Sequence, residues 1–244
     1  MAKIADDRGY NQIFIDSKSM RLRTERRCEY INSRIEQLKD ARMLEIGCGT
    51  GEMSYMLASR TKNYILGVDL YQPFIEKAKK KYSMSNLEYK VMNFNDKEAL
   101  REMSYGEKFN YVYGNGILHH LYYSLDDSLR NIASFLKDGG RIIFLEPNIL
   151  NPYCFLVFKF GRLRKIAKLE PSEMAFTKGL VTRKLKAAGF TGIEVEYRDF
   201  LLPGIPDFMI KPSVLSGSVL EKIPILNMLA QSIYISAFKA QKPL

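Results

Sequence analysis

The chain has 244 residues, 46% hydrophobic and 26% charged, which suits one α/β core, is short for two, and differs from a disordered or fibrous composition. Thirty-seven Lys and Arg against twenty-seven Asp and Glu give a net charge of +10, which favours an anionic partner: nucleic acid, a phosphorylated metabolite or an anionic membrane surface. The widely spaced, odd-numbered cysteines Cys28, Cys48 and Cys154 exclude a disulfide framework or a CxxC metal site. With the polar opening MAKIADDRGYNQ and no apolar run of about 18 residues, they point to the cytoplasm.

In chain order, residues 1–23 read as an N-terminal flap. Residues 24–38 follow as an amphipathic helix with Tyr30, Ile31, Ile35 and Leu38 inward. From about 42 to 146, short apolar runs alternate with helical patterns, the signature of parallel βαβ units. Strands are expected at 43–46, 64–68, 87–92, 111–113 and 141–145. Helices are expected at 52–60, at 73–82 behind a first-turn proline, and at 124–136 with Asp126 and Asp127 at its positive end. Lysines 77, 79, 80 and 81 fit an exposed helix face, and 137–140 reads as a glycine stop. A helix at 180–188 closed by Gly189, and strands at 193–197 and 233–238, complete the pattern. Residues 147–178 and 198–231 break it and read as substrate-side insertions on a rigid scaffold.

The informative segment is LEIGCGTG, residues 44–51. A buried strand ends in a glycine turn that lets backbone N–H groups approach a ligand, and a helix beginning near Glu52 adds its positive end. The glycines fall at 47, 49 and 51, and position 54 is serine, so the G-x-G-x-x-G dinucleotide fingerprint fails. No lysine follows with phosphate-loop spacing. The second strand ends in Gly67-Val68-Asp69-Leu70, where a carboxylate beside the turn can accept both hydroxyls of a ribose. Turn plus carboxylate describe a nucleoside site that makes no demand for a pyrophosphate.

With LEIGCGTG, GVDL, FNYVYGNGILHHL and LKDGGRIIFLEPN in order over residues 25–197, the chain resembles class I S-adenosylmethionine-dependent methyltransferases of the quinone-biosynthesis and small-molecule branch. The resemblance implies a Rossmann-like α/β fold: a seven-stranded, mostly parallel sheet, helices on both faces, and the last strand antiparallel. Residues 1–244 would form one domain with a helical flap at 1–40. It implies S-adenosyl-L-methionine as cofactor, over Gly47, Gly49 and Gly51, with Glu45 near its amino end. Asp69 would take the ribose hydroxyls and Leu70 would pack on adenine. The family's acidic residue after the third strand is replaced by Asn93-Phe94, which leaves the adenine contact open between Asn93 and Asp96. Gly114, Asn115 and Gly116 would pass the methionine end, and Cys48 reads as a small turn residue.

The sulfonium methyl is already activated, so the protein mainly has to orient the acceptor and exclude water. A base is needed only for a hydroxyl or a carbon acid. His119 and His120, the only histidines, follow the fourth strand and are the candidate catalytic residues; helix-start packing would place them there too. Glu146, Tyr10 and Arg21 are secondary candidates. No metal motif of H-x-E or H-E-x-x-H type occurs. The expected acceptor is a small molecule, a lipid or a sugar-like metabolite. An RNA methyltransferase is the alternative, and a non-catalytic scaffold with this fold is another. A DNA amino-methylating turn is missing after the fourth strand, where Asn115-Gly116-Ile117-Leu118 stands; Asn151-Pro152-Tyr153 follows the fifth. Residues 153–168 interleave apolar residues with Lys159, Arg162, Arg164, Lys165 and Lys168, and residues 200–230 add FLLPGIPDFMI and IPILNMLA. Both stretches suit an apolar lid over a pocket or a contact with an anionic membrane surface.

Overall fold

A computed structural model describes residues 17–35 and 40–241. Seven strands form one sheet: β1 (Arg42–Ile46), β2 (Tyr64–Asp69), β3 (Leu87–Val91), β4 (Phe109–Asn115), β5 (Leu136–Pro147), β6 (Phe190–Arg198) and β7 (Ser232–Lys239). Their order is β3-β2-β1-β4-β5-β7-β6. The run from β3 to β5 is parallel, and β7 lies antiparallel between β5 and β6. The carboxyl ends of β1, β2, β4 and β5 therefore share one edge, where ligands bind in open α/β sheets.

Nine α-helices are described: α1 (Lys18–Ser33), α2 (Glu52–Arg60), α3 (Gln72–Lys81), α4 (Lys97–Tyr105), α5 (Leu125–Phe135), α6 (Pro152–Lys159), α7 (Gly161–Ile166), α8 (Lys178–Ala187) and α9 (Asp207–Leu220). Strand alternation splits the core into two layers. Leu44, Ile46, Val112, Ile142 and Phe144 face Leu129, Ile132 and Phe135 of α5 and Val181 and Leu185 of α8. Met43, Ile65, Tyr113, Ile143 and Leu145 face Cys28 and Ile31 of α1 and Met53 and Leu57 of α2. Burying one such side chain stabilises the fold by about 1.5–3 kcal/mol, and truncating Ile132 to alanine would cost about 2–5 kcal/mol.

Local chemistry explains where these elements start and stop. Pro73 sits in the first turn of α3, and Asp126 and Asp127 sit in the first turn of α5. The Thr177 hydroxyl caps α8, which ends before Gly189 at φ +85°. Four expectations need correction. Helix α1 starts at Lys18, because the Ser17 hydroxyl accepts the Met20 N–H at 3.3 Å and sets an earlier cap; it stops at Ser33. Residues 18–23, read as flap, are therefore helix, while Tyr10 and Leu38 lie outside the described residues. Residues 137–140 are the bulged start of β5, with Gly139 at φ +74° opposite the register shift at Phe109/Tyr111. Helix α4 was not anticipated. Residues 147–178 hold α6 and α7, and residues 198–231 hold α9 and a 3-10 turn at Leu226–Leu229.

Candidate functional site

The turn from Gly47 to Gly51 lies between β1 and α2, with φ of +71°, +52° and +81° at its three glycines, a region other residues rarely adopt. The N–H groups of Gly47 and Cys48 both donate to the Val68 carbonyl, at 2.8 and 3.0 Å. A Cβ on Gly47 would meet Ile117 Cδ1 at 2.8 Å, and one on Gly51 would meet the Tyr89 hydroxyl at 2.5 Å. The protein's own packing thus requires these two glycines. A Cβ on Gly49 would meet nothing within 4 Å, so the middle of the turn opens on free space.

Asp69, at the end of β2, ties this turn down. Its Oδ2 accepts the Gly49 N–H at 2.9 Å and its Oδ1 accepts the Tyr71 N–H at 2.9 Å. Burial raises its pKa, opposed by the hydrogen bonds from the Tyr71, Gly49 and Leu70 backbone. Leu70 beside it is exposed. Asn93 is exposed and donates to Asp96 Oδ1 at 2.9 Å, so the two adenine candidates are joined, while the Phe94 side chain belongs to the core. Glu45 is only 2% exposed and accepts from the Ser54 hydroxyl; its carboxyl faces α2 rather than the open turn, and burial pushes its pKa up to about 8.

The end of β4 passes close beneath β1: a Cβ on Gly114 would lie 2.9 Å from the Ile46 carbonyl and 2.8 Å from Phe144. Gly116 has φ +66°, and its N–H donates to the Leu145 carbonyl at 2.8 Å. Asn115 Oδ1 accepts from Arg27 of α1 at 2.5 Å. Arg27 and Arg23 also share Asp199, at 3.2 and 3.1 Å, and all three are buried. This cluster carries two positive charges against one negative charge beside the sheet edge. Arg21 is exposed on α1.

After β4 the chain enters a 3-10 helix, Leu118–Ser124. The buried Glu146 at the end of β5 accepts the N–H groups of Ile117, Leu118 and His119, at 3.0, 2.8 and 3.2 Å. It also pairs with His119 Nδ1 at 3.0 Å. Glu146 therefore lies under the histidines rather than at an open surface. Glu173, from the segment between α7 and α8, approaches His119 Nε2 at 3.7 Å and His120 Nδ1 at 3.4 Å. Burial and the neighbouring His119 push His120 down to about 3, and burial raises Glu173. The donor atoms of His119, His120 and Glu173 lie within 4.8 Å of one another.

Sequence reasoning missed Arg23, Arg27, Asp199 and Glu173. The arginines had a signal, since they sit four residues apart on the helix face that also carries Thr24, Cys28 and Ile31. Glu173 had none, because only the path of α6 and α7 brings it to the histidines.

Comparison with known proteins identifies the family. The family model described as "Methyltransferase domain" matches residues 37–189. An O-methyltransferase of Aspergillus nomiae is 30% identical over 136 residues, covering 53% of this chain and 58% of that protein. A highly reducing polyketide synthase of Pyricularia oryzae is 26% identical over 186 residues, 71% of this chain but 7% of the synthase. The chain thus spans 58% and 7% of these two relatives. Among solved structures, a SAM-dependent methyltransferase from Archaeoglobus fulgidus superposes with a TM-score of 0.65 at 18% identity, covering 94% of this chain and 98% of that one. The chain belongs to the family of methyltransferase domains, and its fold is the class I, Rossmann-like fold expected from the sequence. The cofactor of that class is S-adenosyl-L-methionine.

Proposed function

We propose that the chain transfers a methyl group from S-adenosyl-L-methionine to a small-molecule or lipid-like acceptor by in-line displacement, acting as one domain with acceptor-side insertions at 147–178 and 198–231. The observation that carries this reading is the free space over Gly49, floored by a glycine turn whose N–H is held by the Asp69 carboxylate. Gly47, Gly49 and Gly51 form the cradle, Asp69 takes the ribose hydroxyls and Leu70 covers the adenine. Asn93 takes the adenine edge, and the backbone at Phe94 runs beside it. Gly114 and Asn115 border the methionine end, where Arg27 brings a positive charge to the side on which a carboxylate would lie. Glu45 stands behind the amino end, where its carboxyl accepts from Ser54 of α2. His119 and His120 are the groups through which the chain acts on the acceptor's exchangeable proton.

An acceptor with an apolar part is supported by the relatives' names, O-methyltransferase and polyketide synthase, and by the surface of the insertions. Among the described residues, fourteen of the eighteen exposed large apolar side chains fall in the two insertions, including Phe160, Phe208 and Ile225. They stand among Lys159, Arg162, Lys165, Lys168, Lys211 and Lys222, all on the same insertions. Apolar wedges amid cations complement an anionic bilayer, so the reading places the protein in the cytoplasm in peripheral contact with the inner face of the membrane. No helix among the described residues is long and apolar enough to cross one.

Calorimetric titration with S-adenosylhomocysteine tests the cofactor half, and absence of binding would overturn it. Co-sedimentation with anionic vesicles at low and physiological salt tests the membrane contact. Protein left in the supernatant at both salts would remove it.

A further inference from the structure

We propose that His119, His120 and Glu173 hold a divalent transition-metal ion of the zinc kind at the acceptor side of the sheet edge. The donor set is two imidazole nitrogens and one carboxylate, a combination that catalytic zinc sites use with a further position left open. The distances from Glu173 to the two rings, 3.7 and 3.4 Å, are longer than good hydrogen bonds. The 3.4 Å from Oε1 to His120 falls within, and the 3.7 Å from Oε2 to His119 just beyond, the separation of roughly 3.3–3.6 Å between ligand atoms that each lie about 2.0–2.2 Å from a tetrahedral ion. All three donor atoms fall within 4.8 Å of one another.

The surroundings have the form such a site needs. His119 is fixed through Nδ1 by Glu146, 3.0 Å away, which leaves Nε2 directed at Glu173. A carboxylate behind a ligating histidine sets its tautomer and orientation at metal centres. Glu146 is itself immobilised by three backbone N–H groups. Glu173 is anchored from both sides: its Oε1 accepts the Glu170 N–H at 2.9 Å, and the next residue, Met174, donates its N–H to the His119 carbonyl at 3.1 Å. Arg164 donates to the carbonyls of Phe158, Glu170 and Glu173, at 2.9, 2.5 and 3.1 Å, and so holds the segment in place. The glutamate is nearly closed off while the His120 side chain is 25% exposed, so the side facing solvent is where an ion enters and an open position remains.

The inference deepens the proposed function and rests on it only for the ion's use in catalysis. An acceptor oxygen on the open position would lose its proton to solvent more readily, because the cation stabilises the alkoxide or enolate. That oxygen or its conjugate carbon then attacks the sulfonium methyl. The sulfur–carbon bond breaks as the new bond forms, and S-adenosylhomocysteine leaves with the electron pair on sulfur. His119 and His120 are then ligands that act through the ion.

The experiment uses the full chain, stripped with a chelator and titrated with zinc, with magnesium as the control for simple charge attraction. Wild type should take up about one zinc per chain. Glu173→Gln and His120→Ala should each weaken uptake at least about tenfold, with S-adenosylhomocysteine affinity and melting temperature preserved. Asp69→Ala should do the reverse, weakening the cofactor and keeping zinc. Visible d–d absorption of the cobalt-loaded protein should disappear in both ligand variants. Wild type taking up no zinc, or taking it up as both variants do, overturns the metal site and leaves the methyltransferase reading to its own cofactor titration. Should Glu173→Gln fail to fold, His120→Ala decides alone.

Discussion

Asp69→Ala removes the one side chain that both tethers the glycine turn and, on the proposed reading, accepts the ribose hydroxyls. Its two oxygens already take the Gly49 and Tyr71 N–H groups at 2.9 Å each, so they lie at the floor of the free space above Gly49. A hydrogen bond to a charged group contributes about 1.5–3 kcal/mol, and each 1.36 kcal/mol is a factor of ten. Affinity for S-adenosylhomocysteine should therefore fall about 10- to 150-fold by titration calorimetry. Asp69→Asn separates the two jobs, because the amide keeps one acceptor oxygen for the turn but loses the charge; its melting temperature should stay closer to wild type than that of the alanine variant. A pH series adds a second reading. Burial raises the Asp69 pKa, so the binding-competent carboxylate is lost at a less acidic pH than for an ordinary aspartate, and wild-type affinity falls on acidification while the Asp69→Asn variant shows a flatter profile. Equal affinity of alanine variant and wild type, with matched melting, would refute the assignment.

Gly49→Val should abolish cofactor binding in the same assay while the protein still folds, because its side chain enters space no protein atom occupies; the φ of +52° makes the valine cost about 1–2 kcal/mol in thermal unfolding. Glu45, raised from 4.5 to about 8, is held protonated by the folded chain where the unfolded chain ionises it, so its contribution to stability is present below pH 4.5 and lost as pH rises to about 8. Melting of wild type should decline across that window more steeply than melting of Glu45→Gln, and parallel curves would show that Glu45 titrates normally. Asp199→Asn leaves the buried Arg23 and Arg27 without their shared counter-charge, which should cost about 3–5 kcal/mol and lower the melting temperature by roughly 6–20 °C; a fall under about 2 °C would show the cluster to be dispensable.

By itself the sequence determined the parts of the molecule whose causes are local. Helix α2 ran where its pattern put it, because Gly51 and Glu52 mark its start within two residues. The strands β1, β2, β4 and β5 were legible as runs rich in apolar residues, since the inner strands of a parallel sheet are covered on both faces, while the edge strand β3 alternates, with Glu88 exposed and Tyr89 buried. The glycine turn and Asp69 were legible because a close backbone approach and a strand-end carboxylate each leave a residue-level mark. Tertiary structure alone decided how the glycines divide their work: Gly47 and Gly51 answer to Ile117 and Tyr89, side chains far away in the chain, and only Gly49 is left open. It also turned Glu45 toward Ser54, moved Glu146 beneath the histidines as a backbone cap, and brought Glu173 up to His119 and His120. Helix α1 needed it most, because Arg23 and Arg27 read as surface charges until Asp199, just past the end of β6, arrives beside them. A buried charge is stable only with its partner in place, and a partner 172 residues away is supplied by the fold and not by any local pattern.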